Sequence, residues 1–157
     1  MNPRQAELSD AAQRVAALVE GETDAVALMA TIACELYHGV PTYDWVGFYR
    51  LVEPRLLKIG PYQGTHGCLQ IPLERGICGR CAATGAVQNI PDVHADPAHL
   101  ACSATTQSEL VLPVRDATGR VAAVLDVDSN AAANFTATDE RLLTEMLRVF
   151  EDDAVRW

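Results

Sequence analysis

The chain of 157 residues lacks long apolar runs and has little positive charge. No stretch approaches the roughly 18 apolar residues of a membrane-spanning helix, and the polar N-terminus has no apolar core of the kind found in signal peptides. Its 12 lysines and arginines stand against 21 aspartates and glutamates, which gives a formal net charge of −9. This charge argues against binding to nucleic acid or to an anionic membrane surface. A cytoplasmic protein is therefore expected.

Repeats, low-complexity tracts and linkers are also absent from the sequence. The composition, 49% hydrophobic and 21% charged, is typical of globular proteins and not of disordered ones. A chain of 157 residues is long enough for one domain with a substantial core. We therefore predict a single domain over residues 1–157.

Helical patterns occur near both ends of the chain, and strand patterns occur between them. Apolar residues at helical spacing predict N-terminal helices over about residues 9–38, the first of them capped by Ser9 or Asp10. A last amphipathic helix is predicted over about residues 136–152. The sheet and its loops are expected over about residues 44–130. This order predicts an α+β fold with a mainly antiparallel sheet.

Two pairs of strands are predicted within the sheet region. Residues 110–114 and 121–127 flank a turn and predict a β-hairpin. Residues 44–51 and 56–60 predict the second pair. The glycines and the proline of residues 60–64 predict a loop after it.

The five cysteines are the main chemical signal in the sequence. In a reducing compartment they are expected to be free, catalytic or metal-binding, and not permanently bridged. Cys34 falls within an apolar helical pattern and suits packing. Cys102 instead lies in a polar loop, seven residues before Glu109 and just ahead of a predicted strand. A thiol there suits redox or nucleophilic chemistry, although a loop cysteine without a role is the alternative.

A zinc site is one interpretation of the other cysteines. Cys78, Cys81, His94 and His99 meet the spacing of a two-cysteine, two-histidine zinc finger. In such a finger one helix presents both histidines, whereas here Pro97 lies between them and disfavours a helix. The segment is also not basic, as a DNA-binding finger would be. The context therefore argues against structural zinc.

A redox dithiol is another interpretation of the pair Cys78 and Cys81. Two thiols at this spacing near a helix N-terminus can cycle through a disulfide, as in thioredoxin. That motif normally follows the start of a βαβ unit, but the strands predicted upstream are antiparallel. Two unrelated thiols on a small helix are the simpler alternative.

A pair of carboxylates marks the end of the hairpin. Strand alternation places Asp126 and Asp128 on one face, about 7 Å apart, with the apolar Val124 preceding them. The same alternation gives Trp45 and Tyr49 a shared face. Desolvation and mutual repulsion raise the pKa of at least one carboxyl in a buried pair. One carboxyl can then donate a proton while its ionised neighbour holds an ammonium group; the alternative is that both face water.

Eight short motifs in this order resemble a known family, the free methionine-(R)-sulfoxide reductases, which are single GAF domains. The motifs are Trp45-Val-Gly-Phe-Tyr49, Gly60-Pro-Tyr-Gln-Gly64, Cys68-Leu-Gln-Ile-Pro72, Gly76-Ile-Cys-Gly79, Asp92-Val-His94, His99-Leu-Ala-Cys102, Ser108-Glu109 and Leu125-Asp-Val-Asp-Ser129. The resemblance covers about residues 24–150. It implies a GAF domain whose central sheet is flanked by N- and C-terminal helices.

The resemblance also implies roles for three cysteines. Cys102 matches the catalytic cysteine, which attacks the sulfoxide sulfur, releases methionine and is left as a sulfenic acid. Cys68 matches the cysteine that resolves the sulfenic acid into a disulfide, and Cys78 matches the auxiliary or alternative resolving cysteine. Thioredoxin, or another dithiol, would then reduce the disulfide, so no bound cofactor and no metal are expected.

The substrate pocket follows from the same resemblance. Trp45 and Tyr49 match aromatic residues of the methionine pocket, while Glu109, Asp126 and Asp128 match its carboxylates. These carboxylates hold the substrate ammonium and assist protonation of the sulfoxide oxygen, because oxide is a very poor leaving group. An enclosed pocket excludes peptides, so free methionine-(R)-sulfoxide is the expected substrate.

The chain departs from the family pattern near the catalytic cysteine. Ser103 stands where aspartate is usual, and Asp96-Pro-Ala98 replaces Phe-Pro-Gly. Ala123 stands where glycine is usual, and Cys81 is an additional thiol that could compete as a resolving cysteine. Ser103 can still cap or hydrogen-bond, so we expect the chemistry to be retained.

Two questions stay open at this stage. The alternative function is a non-enzymatic GAF module that senses a small molecule or a redox change, because the fold hosts many functions. The apolar stripes of the terminal helices also allow a homodimer, although core burial explains them equally well.

Overall fold

The computed structural model describes residues 3–157, which form four α-helices and six strands. In chain order these elements are α1 (Pro3–Leu18), α2 (Ala25–Gly39), β1 (Trp45–Glu53), β2 (Leu56–Gln63), β3 (Gln70–Pro72), α3 (Gly76–Thr84), β4 (Gln88–Ile90), β5 (Ser108–Arg115), β6 (Val121–Ser129) and α4 (Ala137–Leu147). Short 3-10 helices follow β4 and α4. The strands form one antiparallel sheet in the order β3-β2-β1-β6-β5-β4. The predicted α+β class with a mainly antiparallel sheet is confirmed.

The two faces of the sheet pack against different helices. Helices α1, α2 and α4 pack on one face and enclose the larger apolar core with inward residues such as Val46 and Phe48. The other face meets α3 over a smaller apolar cluster, to which Trp45, Tyr49 and Val124 belong. The predicted alternation along β1 and β6 is therefore confirmed. The smaller cluster leaves one end of this face free for polar groups.

Helix α2 forms the centre of the larger core. Asp24 caps it by accepting a hydrogen bond from the backbone N–H of Ala27 at 2.9 Å, which satisfies a donor left free at the helix start. Leu28, Ile32 and Leu36 recur at helical spacing and are fully buried. This apolar stripe explains why a helix forms here and which side of it meets the sheet.

Helix α1 begins earlier than predicted. It starts at Pro3 and not at Ser9 or Asp10, because proline is well tolerated in the first turn of a helix. The added turns are held by contacts from distant parts of the chain. Arg4 forms an ion pair with Asp139 of α4, and Leu8 is buried in the larger core. The sequence pattern alone contained no signal for these tertiary contacts.

Strand β2 extends as far as Gln63 and so includes most of residues 60–64, where a loop was predicted. Gly47 pairs with Tyr62 and Tyr49 pairs with Ile59, so two residues of β2 oppose a single residue of β1. This β-bulge absorbs Gly60 and Pro61 and restores the pairing beyond them. The loop prediction was wrong because it used local preferences and not the pairing partner.

No helix among residues 3–157 is both long enough and apolar enough to span a membrane.

Helix α4 ends at Leu147, and the last predicted turn, through Glu151, is a 3-10 helix. The turn between β5 and β6 is closed by Asp116 and by Gly119, whose φ of 82° favours glycine.

A buried carboxylate joins α1 and α4 to the segment that precedes β1. Asp139 accepts hydrogen bonds from the hydroxyl of Tyr43 at 2.7 Å and from both the N–H and the hydroxyl of Thr136, at 2.7 and 2.6 Å. Arg4 completes the set with its guanidinium. Burial alone would raise the pKa of Asp139, but these donors outweigh it and lower the pKa below the ordinary value.

Replacing Asp139 with asparagine is expected to destabilise the fold by about 2–4 kcal/mol at neutral pH. The amide keeps one acceptor but loses the charge that Arg4 pairs with and presents donors toward Thr136. Because the folded pKa is lowered, the contribution of the carboxylate is present above the unfolded value of about 4 and is lost as the pH falls through the folded pKa. Urea unfolding at several pH values measures the difference.

The exposed Asp153 provides a matched control, since Asp153→Asn makes the same chemical change without a buried partner. The difference in free energy of unfolding between Asp139→Asn and wild type should become smaller at acidic pH. An unchanged free energy of unfolding at pH 7 would contradict the structural role of this carboxylate.

Candidate active site

A small cavity lies on the face of the sheet that α3 covers. Its volume is about 40 Å³. Every predicted site residue except Cys68 lines it, namely Trp45, Tyr49, Cys78, Cys102, Glu109, Asp126 and Asp128. The structure therefore brings together residues that lie far apart in the sequence. It also adds His66, His99 and Thr106 to the lining.

The register of the sheet sets the three carboxylates side by side. Glu109 of β5 pairs with Asp128 of β6, and Asp128 pairs in turn with Trp45 of β1. Asp126 lies two residues before Asp128 and on the same face of β6, as predicted. It pairs with Gly47 of β1. Glycine at that position leaves the space that the ring of Trp45 occupies. The antiparallel pairing of three strands thus concentrates negative charge at one end of the sheet.

Burial makes these carboxylates hard to ionise. Asp126 and Glu109 are each only 6% exposed. Desolvation raises the pKa of all three groups, and repulsion from a neighbour adds to it: Asp128 acts on Glu109, Glu109 on Asp126, and Asp126 on Asp128. The Oδ1 atom of Asp126 has no hydrogen-bond partner within residues 3–157. The cluster is therefore suited to hold a proton, a cation, or both.

Cys68 and Cys102 form a disulfide, with their Cα atoms 5.6 Å apart. Cys68 comes from the loop between β2 and β3, and Cys102 comes from the loop that leads into β5. Both residues are half-buried, so an external thiol has a route to the bond. The structure thus joins the two cysteines to which catalytic and resolving roles were assigned, while the roles themselves stay predictions.

The remaining thiols near the site are less accessible. Cys78 is buried at the start of α3, and its Sγ lies 4.0 Å from Oε1 of Glu109. Burial, together with the charges of Asp126 and Glu109, raises its pKa. Cys81 is fully buried in the smaller apolar cluster, where burial raises its pKa to about 12. Neither thiol is therefore a ready nucleophile in this state.

Two aromatic rings, those of Trp45 and Tyr49, form part of the cavity wall. The Nε1–H of Trp45 donates to the carbonyl of Thr65 at 2.7 Å, and the ring stacks on Tyr49 with 6.1 Å between centroids. A Cβ atom at Gly67 would lie 3.0 Å from both Trp45 and the Tyr49 hydroxyl. Glycine there allows the loop that carries Cys68 to lie close to the rings.

His99 is a site residue to which the sequence assigned no role in catalysis or substrate binding. Its Nδ1 lies 3.5 Å from Oε2 of Glu109. Burial lowers its pKa, although the nearby Asp96 opposes that shift. Its place three residues before Cys102, in the same motif, was the signal that could have identified it. Within residues 3–157, the cluster with metal-ligand spacing consists of Cys78, Glu109 and Asp126. It does not contain the two histidines of the zinc-finger spacing, against which the sequence context had already argued.

The loop that carries Cys102 is anchored by Asp96, a residue that departs from the family pattern. Asp96 accepts two hydrogen bonds from the guanidinium of Arg80, at 3.2 and 2.7 Å, and one from the N–H of Ala98 at 2.8 Å. The Arg80 guanidinium lowers the pKa of Asp96, so the ion pair persists over a wide pH range. Ser103 hydrogen-bonds with Thr105 at 3.2 Å, which agrees with its expected local role.

Comparison with known proteins places residues 4–151 in the GAF domain family. The free methionine-R-sulfoxide reductase of Escherichia coli is 40% identical over 86% of this chain and 81% of its own. The X-ray structure of the free methionine-R-sulfoxide reductase of Neisseria meningitidis in complex with its substrate shares 36% identity and a TM-score of 0.88, covering 96% and 90% of the two chains. The reduced form of fRMsr of Staphylococcus aureus shares 31% identity and a TM-score of 0.87, covering 96% and 95%.

Replacing Asp126 with asparagine is expected to raise the melting temperature at pH 8. A carboxyl whose pKa is higher in the folded chain than in the unfolded chain favours folding at low pH, and that stability is lost as the pH rises through the folded pKa. The asparagine amide stays neutral at every pH, so the variant does not lose this stability as the pH rises. Each pK unit corresponds to about 1.4 kcal/mol, so we expect a gain of at least a few degrees in a chain of this size.

Calorimetry or a thermal-shift assay between pH 4 and pH 8 measures the effect. The gain should disappear toward pH 4, and Asp153→Asn, an exposed control, should show no such trend. A variant that is less stable than wild type at pH 8 would show that Asp126 is ionised and stabilised by partners.

Proposed function

Because this chain belongs to the GAF domain family and, within it, to the free methionine-(R)-sulfoxide reductases, we propose that it reduces free methionine-(R)-sulfoxide to methionine. The single observation that carries the proposal is the position of the Cys68–Cys102 pair beside a cavity lined by two buried carboxylates, Glu109 and Asp126, and the half-buried Asp128. A redox thiol and a proton source are the two chemical needs of sulfoxide reduction.

The first step transfers oxygen from the substrate to sulfur of the enzyme. The Cys102 thiolate attacks the sulfoxide sulfur, and a proton from the carboxylate cluster reaches the sulfoxide oxygen. Methionine then leaves, and Cys102 carries the oxygen as a sulfenic acid. The raised pKa values of Glu109, Asp126 and Asp128 support this proton transfer near neutral pH.

The second step restores the enzyme by way of a disulfide. The thiolate of Cys68 attacks the sulfenic sulfur of Cys102, which forms the disulfide and releases water. Cys78 is the alternative resolving cysteine, although its burial makes Cys68 the better placed of the two. An external dithiol then reduces the bond. Electrons come from thiols throughout, so the cycle needs no bound cofactor.

Recognition of a free amino acid suits the shape and charge of the site. An ionised member of the carboxylate cluster can hold the substrate ammonium. The faces of Trp45 and Tyr49 suit the methyl end of the side chain, since sulfur and aromatic rings attract one another. The small size of the cavity between the loops and the sheet favours a free amino acid over a methionine sulfoxide residue within a peptide chain.

The disulfide state leaves little room for the substrate. A cavity of about 40 Å³ accommodates about three water molecules, whereas methionine sulfoxide has ten non-hydrogen atoms. Reduction of the Cys68–Cys102 bond frees the two loops that it joins. We therefore expect the reduced enzyme to bind substrate and the disulfide form to exclude it.

Thioredoxin as the reductant and a homodimer are the finer parts of the proposal. The half-buried disulfide is consistent with attack by the thiolate of a partner protein. Leu18 and Val26, which are both exposed on the N-terminal helices, could contribute to a dimer interface.

Replacing Cys102 with serine is expected to reduce turnover of the R epimer to background. Serine offers no thiolate, and the sulfoxide oxygen then has no acceptor. Cys68→Ser should still release about one methionine per protein chain without added reductant, because the first step needs only Cys102. Chromatography of methionine, with dithiothreitol for steady-state turnover, measures both effects, and Cys34→Ser in α2 should behave as wild type.

Retained turnover in Cys102→Ser would contradict the mechanism. Wild-type protein that binds a small ligand tightly but never releases methionine would favour the alternative, a non-enzymatic GAF sensor module.

Calorimetric titration with L-methionine tests the effect of the disulfide on binding. Methionine is the product and is not consumed, so the measurement reports binding alone. The reduced protein should bind it at least tenfold more tightly than the oxidised protein, because the disulfide contracts the cavity. Renewed reduction of the oxidised sample should restore binding, and equal affinity in the two states would contradict the closure.

A further inference from the structure

Three buried side chains at the cavity have donor atoms close enough to share one metal ion. The donors are Sγ of Cys78 and one carboxylate oxygen each of Glu109 and Asp126, and all lie within 4.8 Å of one another. They come from α3, β5 and β6, so the sheet and the helix fix their positions independently. All three residues are buried.

A separate observation indicates that this cluster lacks a ligand. Asp126 is only 6% exposed, yet its Oδ1 has no hydrogen-bond partner within residues 3–157. The buried Nδ1 of His99 also has no hydrogen-bond partner within the described residues, although it lies 3.5 Å from Oε2 of Glu109. Buried polar atoms are rarely left unpaired, because each costs about 1–3 kcal/mol. Both residues line the cavity.

From this geometry we propose that Cys78, Glu109 and Asp126 form a binding site for a thiophilic divalent cation of the Zn²⁺ class. A thiolate, two carboxylates and a nearby imidazole are donors that Zn²⁺ accepts, whereas Mg²⁺ and Ca²⁺ avoid sulfur. Zinc in a tetrahedral site needs donors about 3.4–3.6 Å apart, so the present ones must converge by roughly 1 Å. Rotation of the carboxylate side chains supplies a movement of this size.

The site is independent of the redox pair. Cys68 and Cys102 are bonded to each other, while Cys78 keeps a free thiol. The cavity of about 40 Å³ holds an ion with one or two water molecules. The cation can therefore bind even in the state that has no room for the substrate.

Binding of the cation has a consequence that rests on the proposed function. Glu109 and Asp126 are the groups assigned to the substrate ammonium and to proton transfer, and a bound cation occupies both. Zinc is therefore an inhibitor that competes with methionine sulfoxide, and it is not a cofactor of the reaction.

The test uses Co²⁺ as a spectroscopic probe on the oxidised full-length protein, in which Cys68 and Cys102 cannot ligate. We expect one Co²⁺ per chain, with a thiolate-to-cobalt charge-transfer band that Zn²⁺ displaces and Mg²⁺ does not. Cys78→Ser should abolish the band, and Asp126→Asn should weaken binding at least tenfold. Cys81→Ser and Cys34→Ser, the matched controls among the other free thiols, should keep the band.

A band that persists in Cys78→Ser, or that disappears in Cys81→Ser or Cys34→Ser, would overturn the site, as would the lack of a band in wild type. Circular dichroism checks that each variant is folded, and Asp126→Asn tests the site without altering a thiol. Because this titration contains no substrate, its outcome is separate from that of the turnover assay. If the enzyme is active, Zn²⁺ should raise KM and leave kcat unchanged.

Discussion

Repulsion among three closely placed carboxylates is the constraint on which the rest of this structure depends. The register of β1, β5 and β6 places the buried Glu109 and Asp126 and the half-buried Asp128 on one face, where water screens their charges poorly. Such an arrangement destabilises the fold unless protons or a cation occupy it. The opposite face of the same strands supplies the compensation, since it packs the larger apolar core against α1, α2 and α4. One sheet therefore serves stability on one side and chemistry on the other.

The thiols are positioned in a different manner from the carboxylates. Strands fix the backbone of the acidic residues, whereas Cys68 and Cys102 lie on two loops that the disulfide joins. A loop can move when its bond is broken, and it can bring its thiol back to the same place afterwards. The ion pair of Arg80 with Asp96 ties the start of the loop that carries Cys102 to α3. Acidic residues on fixed strands and thiols on movable loops together suit a cycle of attack, resolution and reduction.

Local sequence patterns predicted the features that depend on periodicity. They identified the shared face of Asp126 and Asp128 and that of Trp45 and Tyr49, while the cysteine roles came from the family resemblance. Features that depend on distant pairing were not predictable: the bulge at Gly60 and Pro61 requires knowledge of β1. The proximity of Glu109 to Asp128 was implied by the family resemblance and not by local patterns, and that of His99 to Glu109 depends on how the loop before β5 folds. The sequence context argued against a zinc site with two histidines, and no local pattern showed that folding places carboxylates beside Cys78.

The most direct measurement of the central claim is a carbon-13 NMR titration of the Asp and Glu carboxyl groups in the reduced wild-type protein. The account predicts that at least one signal of the cluster changes at a pH well above the ordinary value of about 4. It also predicts that saturating L-methionine shifts this change to lower pH, because the ammonium group favours the ionised carboxylates. Titration of all three groups near pH 4, with no response to methionine, would contradict the account.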